Sequence, residues 1–99
     1  MKITRNQDGS HLEIALEGRL DTMTAPELEA ELNQSLGSVD SLTLDFSKLE
    51  YISSAGLRVL LSAHKVMSAK GGMKVTNVNE IVQEVFEVTG FADILNIER

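Results

Sequence analysis

The 99-residue sequence predicts an α/β fold: one domain over residues 1–99, in which a mixed β-sheet carries helices packed against it. Three observations predict this. Leu12, Ile14 and Leu16 alternate with Glu13, Ala15 and Glu17, the period of a strand with one buried face. Ala25, Leu28, Leu32 and Leu36 recur at helical spacing. Between residues 41 and 78, two strand-like runs flank a long helical stripe. Such a strand–helix–strand crossover lays its strands parallel, almost always with a right hand, and its helix covers the sheet.

Residues 2–7 read as a first strand. Asp8-Gly9 is a hairpin signal, because Gly accepts the positive φ of a tight primed turn. The alternating strand follows, with Gly18 expected to close it. Thr24-Ala25-Pro26-Glu27 reads as a helix start. Thr24 can cap free N–H groups, Glu27 stands where a capping box places an acid, and Pro26 lacks an N–H that a first turn would not use. Glu27, Glu29, Glu31 and Asn33 fall largely outside the apolar stripe of this helix, and Gly37 is its expected stop.

Ser41 to Phe46 is a strand with Leu42, Leu44 and Phe46 on one side, and residues 47–51 read as a connector. A second helix is expected from about Ser54 to Lys70. Its stripe is Leu57, Leu60, Leu61 and His64, widened by Val59, Ala63 and Val66, and Gly71-Gly72 stops it. Met73, Val75 and Val78 mark a short strand up to Asn79. A third helix should turn Ile81, Val82, Val85 and Phe86 inward and stop at Gly90; Phe91, Ile94, Leu95 and Ile97 then read as a last turn closing the core.

Composition narrows the function. Apolar residues make up 42% with only three Phe, one Tyr and no Trp, so the core is built from Leu, Val and Ile. The formal net charge of −6 argues against a nucleic-acid surface, which needs clustered Lys and Arg. It fits a partner with a basic face, or solubility alone. Without Cys there is neither a disulfide framework nor a thiolate metal site. No apolar run approaches the ~20 residues of a membrane span, and no secretory h-region follows Met1, so a cytoplasmic chain without membrane insertion is expected.

An enzyme reading finds no support. His64 falls on an apolar stripe and reads as a partly buried, hydrogen-bonded structural histidine, and His11 as exposed near a turn. There is no G-x-S-x-G elbow, no phosphate-binding G-x-x-x-x-G-K-[ST] loop and no acid-rich calcium loop. No catalytic residue, metal or cofactor is expected. What stands out is Ser53-Ser54-Ala55-Gly56, where two hydroxyls meet a helix start. Plain capping accounts for one serine. The free N–H groups and partial positive charge of a helix N-terminus would equally accept a phosphate. Gly56 costs about 0.5–1 kcal/mol against Ala inside a helix, which suggests close backbone approach or packing.

Asp45-Phe46-Ser47 followed by Ile52-Ser53-Ser54-Ala55-Gly56-Leu57 resembles the signature of the STAS family, whose members include bacterial anti-sigma factor antagonists. Leu16-Glu17-Gly18-Arg19-Leu20-Asp21 is similar to that family's strand end before the first helix. The resemblance implies partner switching. The unmodified antagonist binds an anti-sigma factor that is also a serine kinase and so frees the sigma factor; phosphorylation breaks the complex and a serine phosphatase resets it. It places the phosphoacceptor at Ser54 and partner contact at Asp21, Thr22, Ser53, Ser54 and Gly56. Some antagonists carry Asp before the acceptor; here that residue is Ser53, a second hydroxyl. The alternative implied by the same family is a soluble subunit of a membrane transport or sensory complex.

Overall fold

The computed structural model describes residues 1–98. Strands β1 (Lys2–Asp8) and β2 (His11–Leu20) form an antiparallel hairpin. Asp8 pairs with His11, so the turn is Gly9-Ser10, one residue later than expected, with Gly9 at φ +62°. Helix α1 (Ala25–Ser35) follows, then a 3-10 turn (Leu36–Ser38) that absorbs the expected stop at Gly37. Strand β3 (Ser41–Ile52), helix α2 (Ser54–Ser68), strand β4 (Met73–Thr76), helix α3 (Glu80–Thr89), a second 3-10 turn (Phe91–Asp93) and strand β5 (Asn96–Glu98) complete the order. The five strands lie in sequence order, and every pair after the hairpin is parallel.

The largest departure from expectation is β3. The supposed connector at 47–51 is strand, and β2 likewise runs past Gly18 to Leu20 beside it. Between Ala15 and Glu17, and again between Gly18 and Arg19, the register slips so that β3 supplies one extra residue. Each bulge restores the buried face, so Phe46, Leu49 and Ile52 all point into the core at a spacing of three rather than two. The last turn of the chain is also more than expected: Asn96–Glu98 pairs with β4 as a fifth strand.

The helices cover one face of the sheet. Leu12, Ile14, Leu16, Leu42, Leu44 and Val75 are buried beneath them. The Phe86 ring of α3 stacks on Phe46 with centroids 6.4 Å apart. Asn79 accepts from the Val82 N–H and so caps α3, and Gly90 closes that helix. Lys70 donates from Nζ to the carbonyls of Leu36 (2.6 Å) and Val39 (3.0 Å), tying the end of α2 to the α1–β3 connection. The helix stripes are narrower than expected. Leu61 is only half-buried, Val66 is exposed, and Ile81 and Ile94 face solvent instead of the core. Among the described residues no helix is long and apolar enough to cross a membrane.

Candidate functional site

Strands β2 and β3 end together: Leu20 pairs with Ile52, and the Ser53 N–H donates to the Leu20 carbonyl at 2.9 Å. Beyond that tie the chains part, one into the turn Asp21–Thr24 and the other into α2. The carboxyl ends of parallel strands, where connections leave the sheet, are the usual place for a site in an open α/β sheet. Asp21, Thr22, Ser53 and Ser54, far apart in sequence, are gathered there.

Asp21 organises its turn. Its Oδ1 accepts from the N–H groups of Met23 (3.0 Å) and Thr24 (3.1 Å). Thr24 Oγ1 in return accepts from the Asp21 N–H at 2.9 Å and donates to the Arg19 carbonyl at 2.8 Å. The helix start is therefore a reciprocal cap three residues upstream of the one expected: Thr24 makes no side-chain cap of α1. The spacing Asp-x-x-Thr was its signal in the sequence. Partial removal from water works against ionisation of Asp21, but the Thr24 and Met23 donors and the Arg19 charge outweigh it and hold the carboxyl below its ordinary value. Arg19 stands 3.9 Å from Asp21 and lays its guanidinium 4.4 Å from the Tyr51 ring centroid, a pair the sequence did not single out.

The two serines differ. Ser53 is the backbone N-cap of α2, in extended conformation, but its side chain makes no cap hydrogen bond, and Oγ is buried without a partner among the described residues. Ser54, the first residue of α2, is exposed. The capping account of the pair is thus not what the structure holds. The first helical bond runs from the Leu57 N–H to the Ser53 carbonyl, which leaves the N–H groups of Ser54, Ala55 and Gly56 ahead of the ladder. Gly56 is buried, and a Cβ there would lie 2.7 Å from Leu20 Cγ. Its bare backbone lets α2 settle on Leu20 and Ile52, which holds Ser54 beside the Asp21 turn.

From this end a groove of about 450 Å³ runs between α1 and α2, lined in part by Thr22, Pro26, Glu29, Ala55 and Arg58. The sequence did not indicate it, because it exists only where two helices meet. The histidines lie apart from the serines. His11 is half-buried rather than exposed, with Nδ1 2.6 Å from Ser41 Oγ and Nε2 3.1 Å from Thr43 Oγ1. His64 is half-buried as expected, but its Nδ1 has no hydrogen-bond partner among the described residues. Among those residues no group of three or more His, Cys, Asp or Glu side chains is placed to hold a metal ion.

Comparison with known proteins follows the same lines. The family profile described as "Mlab, STAS domain" matches residues 3–96. BtrV of Bordetella bronchiseptica, provisionally named an anti-sigma factor antagonist, is 36% identical over 99 residues, covering 98% of this chain and 85% of the relative. The anti-sigma-B factor antagonist of Bacillus subtilis is 27% identical over 92 residues, covering 92% of this chain and 84% of its own. SpoIIAA, an anti-sigma factor antagonist and Bacillus cell fate determinant, has been solved in two forms. The unphosphorylated form superposes with a TM-score of 0.84 at 19% identity, covering 97% of this chain and 87% of that one. The phosphorylated form superposes with a TM-score of 0.76 at 19% identity, covering 97% and 90%. At that identity the superpositions establish the fold.

Proposed function

The chain belongs to the STAS domain family, and from that premise we propose that it is an anti-sigma factor antagonist switched by phosphorylation of Ser54. Unmodified, it binds an anti-sigma factor that is also a serine kinase and so frees a sigma factor; a serine phosphatase reverses the modification. It acts in the cytoplasm as a binding module, with no turnover of its own, no cofactor and no direct nucleic-acid contact.

One observation carries the choice of acceptor: Ser54 presents its side chain to solvent while the neighbouring Ser53 Oγ is buried. A kinase must reach the hydroxyl it modifies. A phosphate on Ser54 adds about −1.5 to −2 charges at neutral pH, and the unladdered N–H groups at the start of α2 can receive them. The fold therefore tolerates what a docked partner does not: new bulk and charge next to the ionised Asp21. In this reading Asp21, Thr22 and the start of α2 meet the partner. Gly56 acts from beneath by seating the helix. SpoIIAA, with the same fold, occurs in phosphorylated and unphosphorylated forms, which supports the reading.

The test treats wild type, Ser53→Ala and Ser54→Ala with the cognate kinase and maps the modified residue by mass spectrometry. Modification should survive in Ser53→Ala and vanish in Ser54→Ala, which should still bind the partner. Ser54→Asp should fold normally and bind about a hundredfold more weakly, a change of ~3 kcal/mol. Undiminished modification of Ser54→Ala at Ser53 would move the switch by one residue. Absence of any kinase-like partner, with co-purification of transporter subunits, would replace this reading by the transport one.

A further inference from the structure

Helix α3 has one face in the core and another that nothing among the described residues covers. Val82 and Phe86 are buried, whereas Ile81 and Val88 are 61% and 80% exposed, with half-buried Val85 between them. Positions i, i+4 and i+7 place these three side chains in one stripe about two turns long. Single exposed aliphatics need no explanation, but a contiguous stripe does. Glu84 lines the stripe, and at 100° per residue Glu80 and Glu87 continue the same border. No Lys or Arg occurs between Glu80 and Thr89.

We propose that this face of α3 is a docking surface for an amphipathic helix of another protein. The partner's apolar stripe would cover Ile81, Val85 and Val88, and its border would carry Lys or Arg opposite Glu84, Glu80 and Glu87. Charge complementarity selects this occupant. A second copy of the chain would bring the same Glu-bordered, Lys- and Arg-free helix to this face, with a formal net charge of −6 on each molecule. Helix-in-groove recognition reads anchors at i, i+3 or i+4 and i+7, the spacing this stripe offers. The surface lies on a different element from Ser54, so it stands whether or not Ser54 is the acceptor.

The experiment titrates the isotope-labelled chain with two synthetic amphipathic helical peptides that share one Leu stripe, one bordered by Lys and the other by Glu, and follows backbone amide shifts. The Lys-bordered peptide should shift residues 81–89 and bind about tenfold or more tightly than its counterpart. The double variant Ile81→Ser, Val88→Ser should keep its denaturant midpoint and lose about tenfold in affinity. Should that variant fold poorly, the pair Glu80→Lys, Glu84→Lys keeps the stripe intact and should reverse the preference between peptides. Shifts centred on the α1–α2 groove, equal binding of both peptides, or undiminished binding by the double variant and unreversed preference in the charge variant would each overturn the proposal. So would a dimer in sedimentation that the double variant abolishes, since the occupant would then be a second copy.

Discussion

A Cβ added to Gly56 would meet Leu20 Cγ at 2.7 Å and Ile52 Cγ1 at 3.0 Å. Both neighbours are fully buried, so neither can swing into solvent. Replacing Gly by Ala in a helix interior gains about 0.5–1 kcal/mol, while overpacking a filled core costs ~1–3 kcal/mol. Overpacking wins, and Gly56→Ala should lower stability by about 1 kcal/mol in a urea titration; a raised midpoint would mean that Leu20 has room to yield. The same residue-scale logic separates the serines. Ser53 is still extended backbone and Ser54 is the first helical residue, so the two adjacent hydroxyls face different surroundings. Ser53 turns toward the protein and Ser54 toward water.

At the scale of elements, the start of α1 depends on a charge. Asp21 holds the turn through the Met23 and Thr24 N–H groups, and these donors keep its carboxyl below the ordinary value of 3.8. A carboxylate whose pKa is depressed on folding stabilises fully above its unfolded pKa and loses that contribution as pH falls through the folded value. The stability advantage of wild type over Asp21→Asn should therefore be present at pH 7 and shrink as pH falls below about 4. Chemical denaturation across that range measures it, and an advantage that grows toward acid would contradict the cap. Element α3 illustrates the limit of periodicity. Ile81, Val82, Val85 and Phe86 are all consistent with one broad inward face, but the sheet reaches only Val82 and Phe86 fully.

For the whole molecule, a single apolar cluster joins β2, β3 and β4 to all three helices, and Leu60 on α2 belongs to it and is fully buried. Truncating such a side chain typically costs ~2–5 kcal/mol out of a total near ~5–15 kcal/mol. Leu60→Ala should lower the denaturant midpoint sharply, in one cooperative transition seen alike by circular dichroism and by amide signals from α1 and α3. Separate transitions for the helices would mean that the cluster does not act as one core. The arrangement assigns different duties to different regions: the core fixes where β2 and β3 end, and that end positions Ser54 and Asp21.

Local pattern was enough for most of this. Alternation along β2, the stripes of α1 and α2, and the glycine stop of α3 are written in neighbouring residues, because strand pleat, helix pitch and positive φ are local properties. The sequence by itself therefore determined the class of the fold, the parallel crossover, the core of Leu, Val and Ile, and, through the Asp45–Leu57 segment, the resemblance to the STAS family. Tertiary structure decided what depends on a neighbour. The second half of β3 was hidden because two bulges break its alternation and only pairing with β2 reveals them. Strand β5 is three residues long, too short to show a period, and exists because β4 offers it an edge. The convergence of the Asp21 turn and the start of α2 at one end of the sheet, the burial of one serine hydroxyl and the exposure of Ile81 and Val88 follow from how the strands pair and which surfaces the packed sheet covers, and no local period encodes that.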